Sequence, residues 1–78
     1  MLSYEECKAI AEEMVKGHNA TLDKAYKLDD DYVFDNSEVT FEGLYPIVVC
    51  AEDGKCWGLW RYIKTFKKNT VKMIEIEF

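Results

Sequence analysis

The sequence predicts a small α+β protein in which an N-terminal helix packs on a mostly antiparallel sheet of four to five strands. Three observations indicate this class. An amphipathic helical pattern follows a capping motif, four segments of strand character come next, and a short second helix precedes the last strand. The chain has 78 residues and no long linker. We therefore expect a single domain over residues 1–78.

The first helix is predicted over residues 4–16. Ser3 and Glu6 match the S-x-x-E capping box, and Gly17 supplies a stop signal. Apolar residues then recur at the spacing of one helix face (Cys7, Ile10, Ala11, Met14, Val15). This face is expected to be the one that packs on the sheet.

The next two strands are predicted as a hairpin over residues 22–36. The aspartates at 29–31 interrupt the strand pattern, and residues 32–36 resume it. Residues 37–43 are predicted as a loop or a short edge strand. The first strand is expected to place three side chains on one face (Leu22, Tyr26, Leu28).

The second half of the chain predicts further strands and a helix. An almost unbroken apolar run at 45–51 indicates a central strand, and residues 56–60 return as the next strand. A helix is predicted near 60–68, where apolar residues have helical spacing and basic residues come late. Residues 73–78 alternate as a final strand, with three side chains expected to point inward (Ile74, Ile76, Phe78).

The turn between the third and fourth strands allows two registers. A two-residue turn ending at Gly54 puts Cys56 opposite Ala51, whereas a three-residue loop puts Cys56 opposite Cys50. We favour the second register, because it gives Gly54 the position that requires a positive φ.

Composition and charge exclude several classes of protein. Hydrophobic residues make up 49% and aromatic residues 14% of the chain, which is too apolar for a disordered protein. The net charge of −5 argues against direct nucleic-acid binding. No segment has the apolar length of a membrane span, and the acidic N-terminus is unlike a signal peptide. These features predict a cytoplasmic protein.

The cysteines and the single histidine form no recognisable reactive site. In the cytoplasm Cys7, Cys50 and Cys56 are expected to stay reduced, although the favoured register leaves a Cys50–Cys56 disulfide open. His18 is interpreted as a surface or capping residue, and the aspartates within 29–35 lack the spacing of a calcium loop. We therefore predict no metal, no other cofactor and, without a catalytic motif, no enzymatic activity.

The charged residues are segregated along the chain. Six acidic residues and no basic one lie between 29 and 42, and five basic residues and no acidic one lie between 61 and 72. Two interpretations remain open: two solvated faces that attract each other weakly, or an acidic surface that steers a basic partner.

Two aromatic residues, Trp60 and Tyr32, are candidate anchors for such a partner. Trp57 and Trp60 are three residues apart, so a regular strand cannot direct both side chains into the core. Core packing of both is favoured, with Trp60 at the helix start. An exposed Trp60 beside Tyr62 would instead anchor an interface, and Tyr32 is the other candidate.

The stretch P-I-V-V-x-x-x-D-G-x-x-W-G-L at 46–59, followed by a short helix with Tyr62 and Phe66, resembles a known family. It is similar to small α+β immunity proteins of bacterial toxin–immunity systems, in which a helix and an aromatic strand, here 32–34, precede such a hairpin. The resemblance implies stoichiometric binding to a toxin and no catalytic residues.

The leading hypothesis is a small acidic protein, of bacteria or phage, that binds and inhibits a protein partner with a basic surface. One alternative is a phage anti-defence protein of the anti-CRISPR type that imitates nucleic acid. Another is a structural homodimer that pairs through an edge strand such as 73–78. No direct contact with nucleic acid or membrane is expected. The predicted binding surface contains Asp29, Asp30, Asp31, Tyr32, Asp35, Glu38, Glu42 and Trp60.

Overall fold

A computed structural model, which describes residues 1–17, 21–37 and 46–78, confirms the α+β class. In chain order the main elements are α1 (Tyr4–Lys16), β1 (Lys24–Leu28), β2 (Asp31–Asp35), β3 (Ile47–Val49), β4 (Cys56–Gly58), α2 (Leu59–Phe66) and β5 (Ile74–Ile76), with a 3₁₀ turn at Thr70–Lys72. The five strands form one antiparallel sheet in the order β4-β3-β2-β1-β5.

Helix α1 has the predicted bounds because its capping box forms. The Glu6 amide donates to Ser3 Oγ at 3.2 Å, and the Ser3 amide donates to Glu6 Oε1 at 2.9 Å. Gly17 is the C-terminal cap. The predicted stripe is only partly covered: Cys7, Ala11 and Val15 are buried, whereas Met14 remains exposed.

The sheet packs against a helix on each face. On the α1 face, the core contains residues of β1, β2 and β3 (Ala25, Phe34, Ile47, Val49). On the α2 face, Leu59 and Tyr62 pack on the strands through Leu28, Val33 and Val48. The expectation that Leu22 shares a face with Tyr26 and Leu28 is wrong, because Leu22 packs with the α1 cluster before the strand begins.

Both registers considered for the β3–β4 turn are wrong. Val49 lies opposite Cys56, and the Cys50 amide donates to the Lys55 carbonyl at 2.9 Å, so the loop has four residues, 51–54. The physical reason is that other partners bind the backbone of Ala51. Its N–H donates to Asp31 Oδ1 at 3.0 Å, and its carbonyl accepts from the Leu2 amide at 2.7 Å.

The longer loop changes the placement of the two cysteines. Gly54 has φ 76°, as predicted, but Cys50 packs on the α2 side of the sheet and Cys56 on the α1 side. They do not face each other across the hairpin, so this register does not allow a cross-strand disulfide between them. Cys7, Cys50 and Cys56 are all free thiols.

The C-terminal elements differ from prediction in two exposed side chains. Helix α2 begins at Leu59, which shortens β4 and turns Trp60 outward with 72% of its surface exposed; core packing of Trp60 was the wrong expectation. Ile74 was expected to point inward but is 65% exposed. Ile74 is on β5, the edge strand next to β1, where it lies opposite the exposed Lys27 of β1. Helix α1 packs mainly against β2 and β3 and does not cover it.

Candidate protein-binding surface

Two hairpin turns meet at one end of the sheet and bring acidic side chains together. Strands β2 and β3 are antiparallel with Tyr32 opposite Val49, so the β1–β2 turn and the β3–β4 loop lie side by side. Asp30, Asp31, Glu52 and Asp53 line a hollow of about 340 Å³ at this end. We call these four residues the acidic end.

Sequence reasoning found only half of the acidic end. Glu52 and Asp53 lie far along the chain from the aspartate run, and we interpreted them only as turn residues. The signal that could have found them is topological. If two consecutive hairpins are joined by an antiparallel pair of neighbouring strands, their turns lie at the same end of the sheet.

Asp31 has a structural role within this end. Its Oδ1 accepts the hydrogen bond from the Ala51 amide, and its Oδ2 accepts one from the Tyr62 hydroxyl. Both carboxylate oxygens therefore hold neighbouring elements in place, the β3–β4 loop and α2. Burial, and then this hydrogen bond, raise the pKa of Tyr62, so its hydroxyl stays protonated at neutral pH.

Asp29 is paired within the protein. Lys68 Nζ lies 2.8 Å from Asp29 Oδ2, and the hydrogen bond from Lys68 lowers the pKa of Asp29. The acidic turn and the basic segment after α2 thus attract each other, which is the first of the two interpretations of the segregated charge. This pair removes Asp29 from the carboxylates that are free for a partner.

Three carboxylates of the acidic end are open to solvent. Asp30, Glu52 and Asp53 are exposed and form no ion pair within the described part of the chain. Asp53 accepts a hydrogen bond from the Lys55 amide at 3.0 Å, which fixes the loop but leaves its charge. These three side chains are the part of the acidic end without an ion pair, and Lys55 and Lys68 are the cations that line the same hollow.

The remaining lining of the hollow includes two lysines, Lys55 and Lys68, and two aromatic rings. Trp57 packs edge-on against Phe66, with ring centroids 5.2 Å apart, and both residues line the hollow with Cys50. Within the described ranges, the buried Trp57 Nε1 has no hydrogen-bond partner. This N–H acts to lower the pKa of the Cys50 thiol, although the contact between them does not have hydrogen-bond geometry.

Cys50 is not a reactive thiol in this setting. Burial, followed by the nearby carboxylates of Asp31 and Asp53, raises the pKa of Cys50 to about 11. Burial also raises the pKa values of Cys7 and Cys56. A thiol in this state has little thiolate at neutral pH and is a weak nucleophile.

Several predicted surface residues lie away from the acidic end. Asp35 is at the opposite end of β2, roughly 13 Å from Asp31 at the usual rise of a strand. Its carboxylate accepts from the Asn36 amide at 2.7 Å. Glu38 and Glu42 lie outside the described residues, as does His18.

The two candidate aromatic anchors also point elsewhere. Tyr32 is on the α1 face, where its ring meets Tyr4 edge-on at 5.3 Å and Lys27 Nζ lies 5.9 Å from its centroid. Trp60 is exposed on α2 next to Arg61 and does not line the acidic hollow. The aromatic residues that do line it are Trp57 and Phe66.

Metal binding and membrane insertion find no support in residues 1–17, 21–37 and 46–78. These residues contain no group of three His, Cys, Asp or Glu side chains arranged to hold a metal ion. They also form no helix that is long and apolar enough to cross a membrane.

No protein-family model matches the chain, and no curated protein or solved structure is similar enough to it to count as a match. The similarity to immunity proteins therefore remains a prediction that rests on the residues quoted for it.

Proposed function

We propose that this protein is a non-enzymatic inhibitor that binds a basic surface of a protein partner through the acidic end of its sheet. The observation that carries the proposal is the convergence of Asp30, Glu52 and Asp53, all exposed and unpaired within the described residues, around one hollow. Four carboxylates line this hollow against two lysines, Lys55 and Lys68, so negative charge is in excess there. A cationic group of a partner would be attracted to that excess.

The dimensions of the hollow favour a side chain as the bound group. About 340 Å³ is near the lower limit for small-molecule pockets and is ample for one lysine or arginine. The carboxylates at the rim would hold the cationic head. Trp57 and Phe66 offer aromatic surface to the aliphatic stem or to the guanidinium plane.

Inhibition follows from occlusion. The net charge of −5 and the clustered carboxylates accelerate encounter with a basic surface, and the aromatic contacts slow dissociation. A toxin with a basic active site is the partner that the immunity-protein resemblance implies. We place this action in the cytoplasm, where the three free thiols would remain reduced.

The test compares two triple variants with the same change in net charge. One carries Asp30→Asn, Glu52→Gln and Asp53→Asn, and the control carries Glu12→Gln, Glu75→Gln and Glu77→Gln at exposed sites elsewhere. Asn at 53 keeps an oxygen for the Lys55 amide. Each protein is used to capture partners from lysates of bacteria and their phage at low and high salt, with quantification by mass spectrometry.

We expect the unmodified protein and the control to retain one protein at low salt, and the acidic-end variant to lose it. With that partner purified, its association rate at low salt should fall at least tenfold for the acidic-end variant alone. Equal association rates for the two variants would remove the acidic end as the binding surface. Competition by nucleic acid for the same partner would favour the anti-defence alternative.

A further inference from the structure

The outer edge of β4 is a second surface with a different chemistry. In the sheet, β4 pairs only with β3. The backbones of Lys55 and Leu59 form hydrogen bonds across the hairpin, and Trp57 between them lies opposite Val48. The backbone groups of Lys55, Trp57 and Leu59 therefore face β3. Antiparallel pairing alternates, so the backbone groups of Cys56 and Gly58 point away from the sheet.

Three of those outward groups are unused. No described residue forms a backbone hydrogen bond with the Cys56 N–H, the Cys56 carbonyl or the Gly58 N–H. The Gly58 carbonyl differs, because Gly58 is the N-cap of α2 and its carbonyl accepts the first helical hydrogen bond. The edge therefore offers a donor, an acceptor and a donor in strand register, which is a template for an added strand.

On its α1 side, the edge borders an apolar groove. Ala9, Ile10, Met14 and Cys56 line it with Glu13, and its volume is about 580 Å³. A Cβ added at Gly58 would meet no atom within 4 Å, so space for a side chain continues along the edge. Apolar side chains of an added strand would pack in this groove.

On its α2 side, the edge borders a basic hollow. Lys55, Trp57 and Arg61 line a space of about 320 Å³ together with Cys56 and Gly58. Lys55 and Arg61 are exposed and form no salt bridge with any described residue. No side chain caps the N-terminus of α2 at this point. Acidic side chains of an added strand would find complementary charge here.

We propose that the edge of β4 binds an extended segment of another protein in which apolar and acidic residues alternate. Side chains of a strand alternate between its two sides, so such a segment would direct apolar groups to the α1 groove and carboxylates to Lys55 and Arg61. Its backbone would use the free groups of Cys56 and Gly58. This surface adjoins the acidic hollow, because Lys55 and Trp57 line both, but its backbone groups and its α1 groove are separate from that hollow. The proposal does not depend on the proposed function.

Gly58 provides a matched pair of variants. Its φ of −68° suits proline, and a side chain at this position would have no close neighbour at Cβ, so Gly58→Pro removes the outward N–H without a clash there. Gly58→Ala adds a Cβ but keeps the N–H. Circular dichroism and thermal unfolding would verify that both variants fold.

The probe is a displayed library of random peptides of about twelve residues, selected on the unmodified protein. We expect enriched sequences that alternate apolar and acidic residues. They should bind Gly58→Ala within about twofold of the unmodified protein and Gly58→Pro at least tenfold more weakly. If Gly58→Pro does not fold, the double variant Lys55→Glu and Arg61→Glu should show a similar loss.

Three results would overturn the proposal. Selection could enrich no sequence, or sequences without the acidic alternation. The enriched peptides could bind Gly58→Pro, or the Lys55 and Arg61 charge reversal, as tightly as the unmodified protein. Sedimentation could show a dimer that Gly58→Pro converts to a monomer, in which case a second copy of this chain occupies the edge.

Discussion

The Tyr62 hydroxyl donates a hydrogen bond to the Asp31 carboxylate and so connects α2 to the start of β2. The same carboxylate accepts the Ala51 amide at 3.0 Å, so one side chain holds a helix, a strand and a loop. Tyr62 is fully buried, and its ring also contacts Phe66 at a centroid distance of 5.0 Å. Asp31 also lines the acidic hollow, so these hydrogen bonds fix one carboxylate of that hollow.

Replacing Tyr62 by Phe tests the strength of that hydrogen bond. The change removes the donor and leaves a partly buried carboxylate with one partner fewer. We expect a loss of roughly 1.5–3 kcal/mol in the free energy of unfolding, as for hydrogen bonds to charged groups. The measurement is urea unfolding followed by circular dichroism.

Tyr26→Phe is the matched control for this experiment. Tyr26 packs on the same face of the sheet, is only partly buried, and its hydroxyl has no hydrogen bond among the described residues. We expect a loss below about 0.5 kcal/mol for it. Equal losses for the two variants would show that the Tyr62 hydroxyl contributes nothing specific.

Gly54 and Gly17 should respond in opposite directions to alanine. Gly54 has φ 76°, and its added Cβ would lie 3.1 Å from Ile10 Cδ1 and 3.2 Å from Leu2 Cδ1. Gly17 has φ −66° and ψ −13°, and its Cβ would meet only the Met14 carbonyl at 3.9 Å. We expect Gly54→Ala to destabilise by about 1–2 kcal/mol and Gly17→Ala to stabilise by about 0.4–1 kcal/mol.

Thermal unfolding of both glycine variants measures this difference. The expected signs are a lower Tm for Gly54→Ala and a higher Tm for Gly17→Ala. A Gly54→Ala protein as stable as the unmodified one would mean that the β3–β4 loop can adopt another conformation. The four-residue loop would then not be the only solution for this turn.

The sequence was informative where local chemistry determines the structure. Ser3 and Glu6 satisfy each other's backbone within one turn, so α1 could be predicted to the residue. The β3–β4 register could not, because it depends on Asp31 and Leu2, which bind Ala51 from other parts of the chain. Counting residues around Gly54 cannot reveal such a contact.

The candidate site was predictable only in part for the same reason. The aspartate run indicated an acidic surface, but the length of β2 separates Asp31 from Asp35. In the folded chain, Glu52 and Asp53 lie around the hollow with Asp31, and Asp35 does not. Lys68 pairs with Asp29, although the two residues are far apart in the sequence. Counting charges along the chain assigns them to separate acidic and basic segments and cannot identify the pair. The surface is a product of topology, since the turns must be placed before their charges can be grouped.

Two lysine-to-glycine changes near the end of α2 should have opposite signs. Lys67 caps the helix with φ 55°, a left-handed conformation that glycine adopts without strain. Lys64 lies inside the helix, where glycine is a poor residue. We expect Lys67→Gly to stabilise by about 0.5–1 kcal/mol and Lys64→Gly to destabilise by roughly the same amount.

Both lysine variants remove the same charge and the same side chain, so each controls for the other. Urea unfolding at one pH and ionic strength gives the comparison. Destabilisation by Lys67→Gly would indicate that the side chain of Lys67 makes a contribution larger than the strain at its backbone.

Cys50 should make the protein less stable as the solution becomes alkaline. Its pKa is about 11 in the folded protein, mainly because of burial, against an ordinary value of 9.0. Between these values the unfolded chain releases the thiol proton while the folded protein keeps it. The unfolded state then binds fewer protons, so this contribution is present below about pH 9 and is lost as the pH rises through about 11.

The direct measurement is the rate of alkylation at Cys50, resolved by peptide mapping across a range of pH. In the folded protein the rate should rise with a midpoint near 11, and in concentrated urea with a midpoint near 9. In parallel, the drop in unfolding free energy over this range should be smaller for Cys50→Ala than for the unmodified protein. A folded-state midpoint at or below 9 would place the thiol in water and would contradict the packing of Cys50 between the acidic hollow and the α2 core.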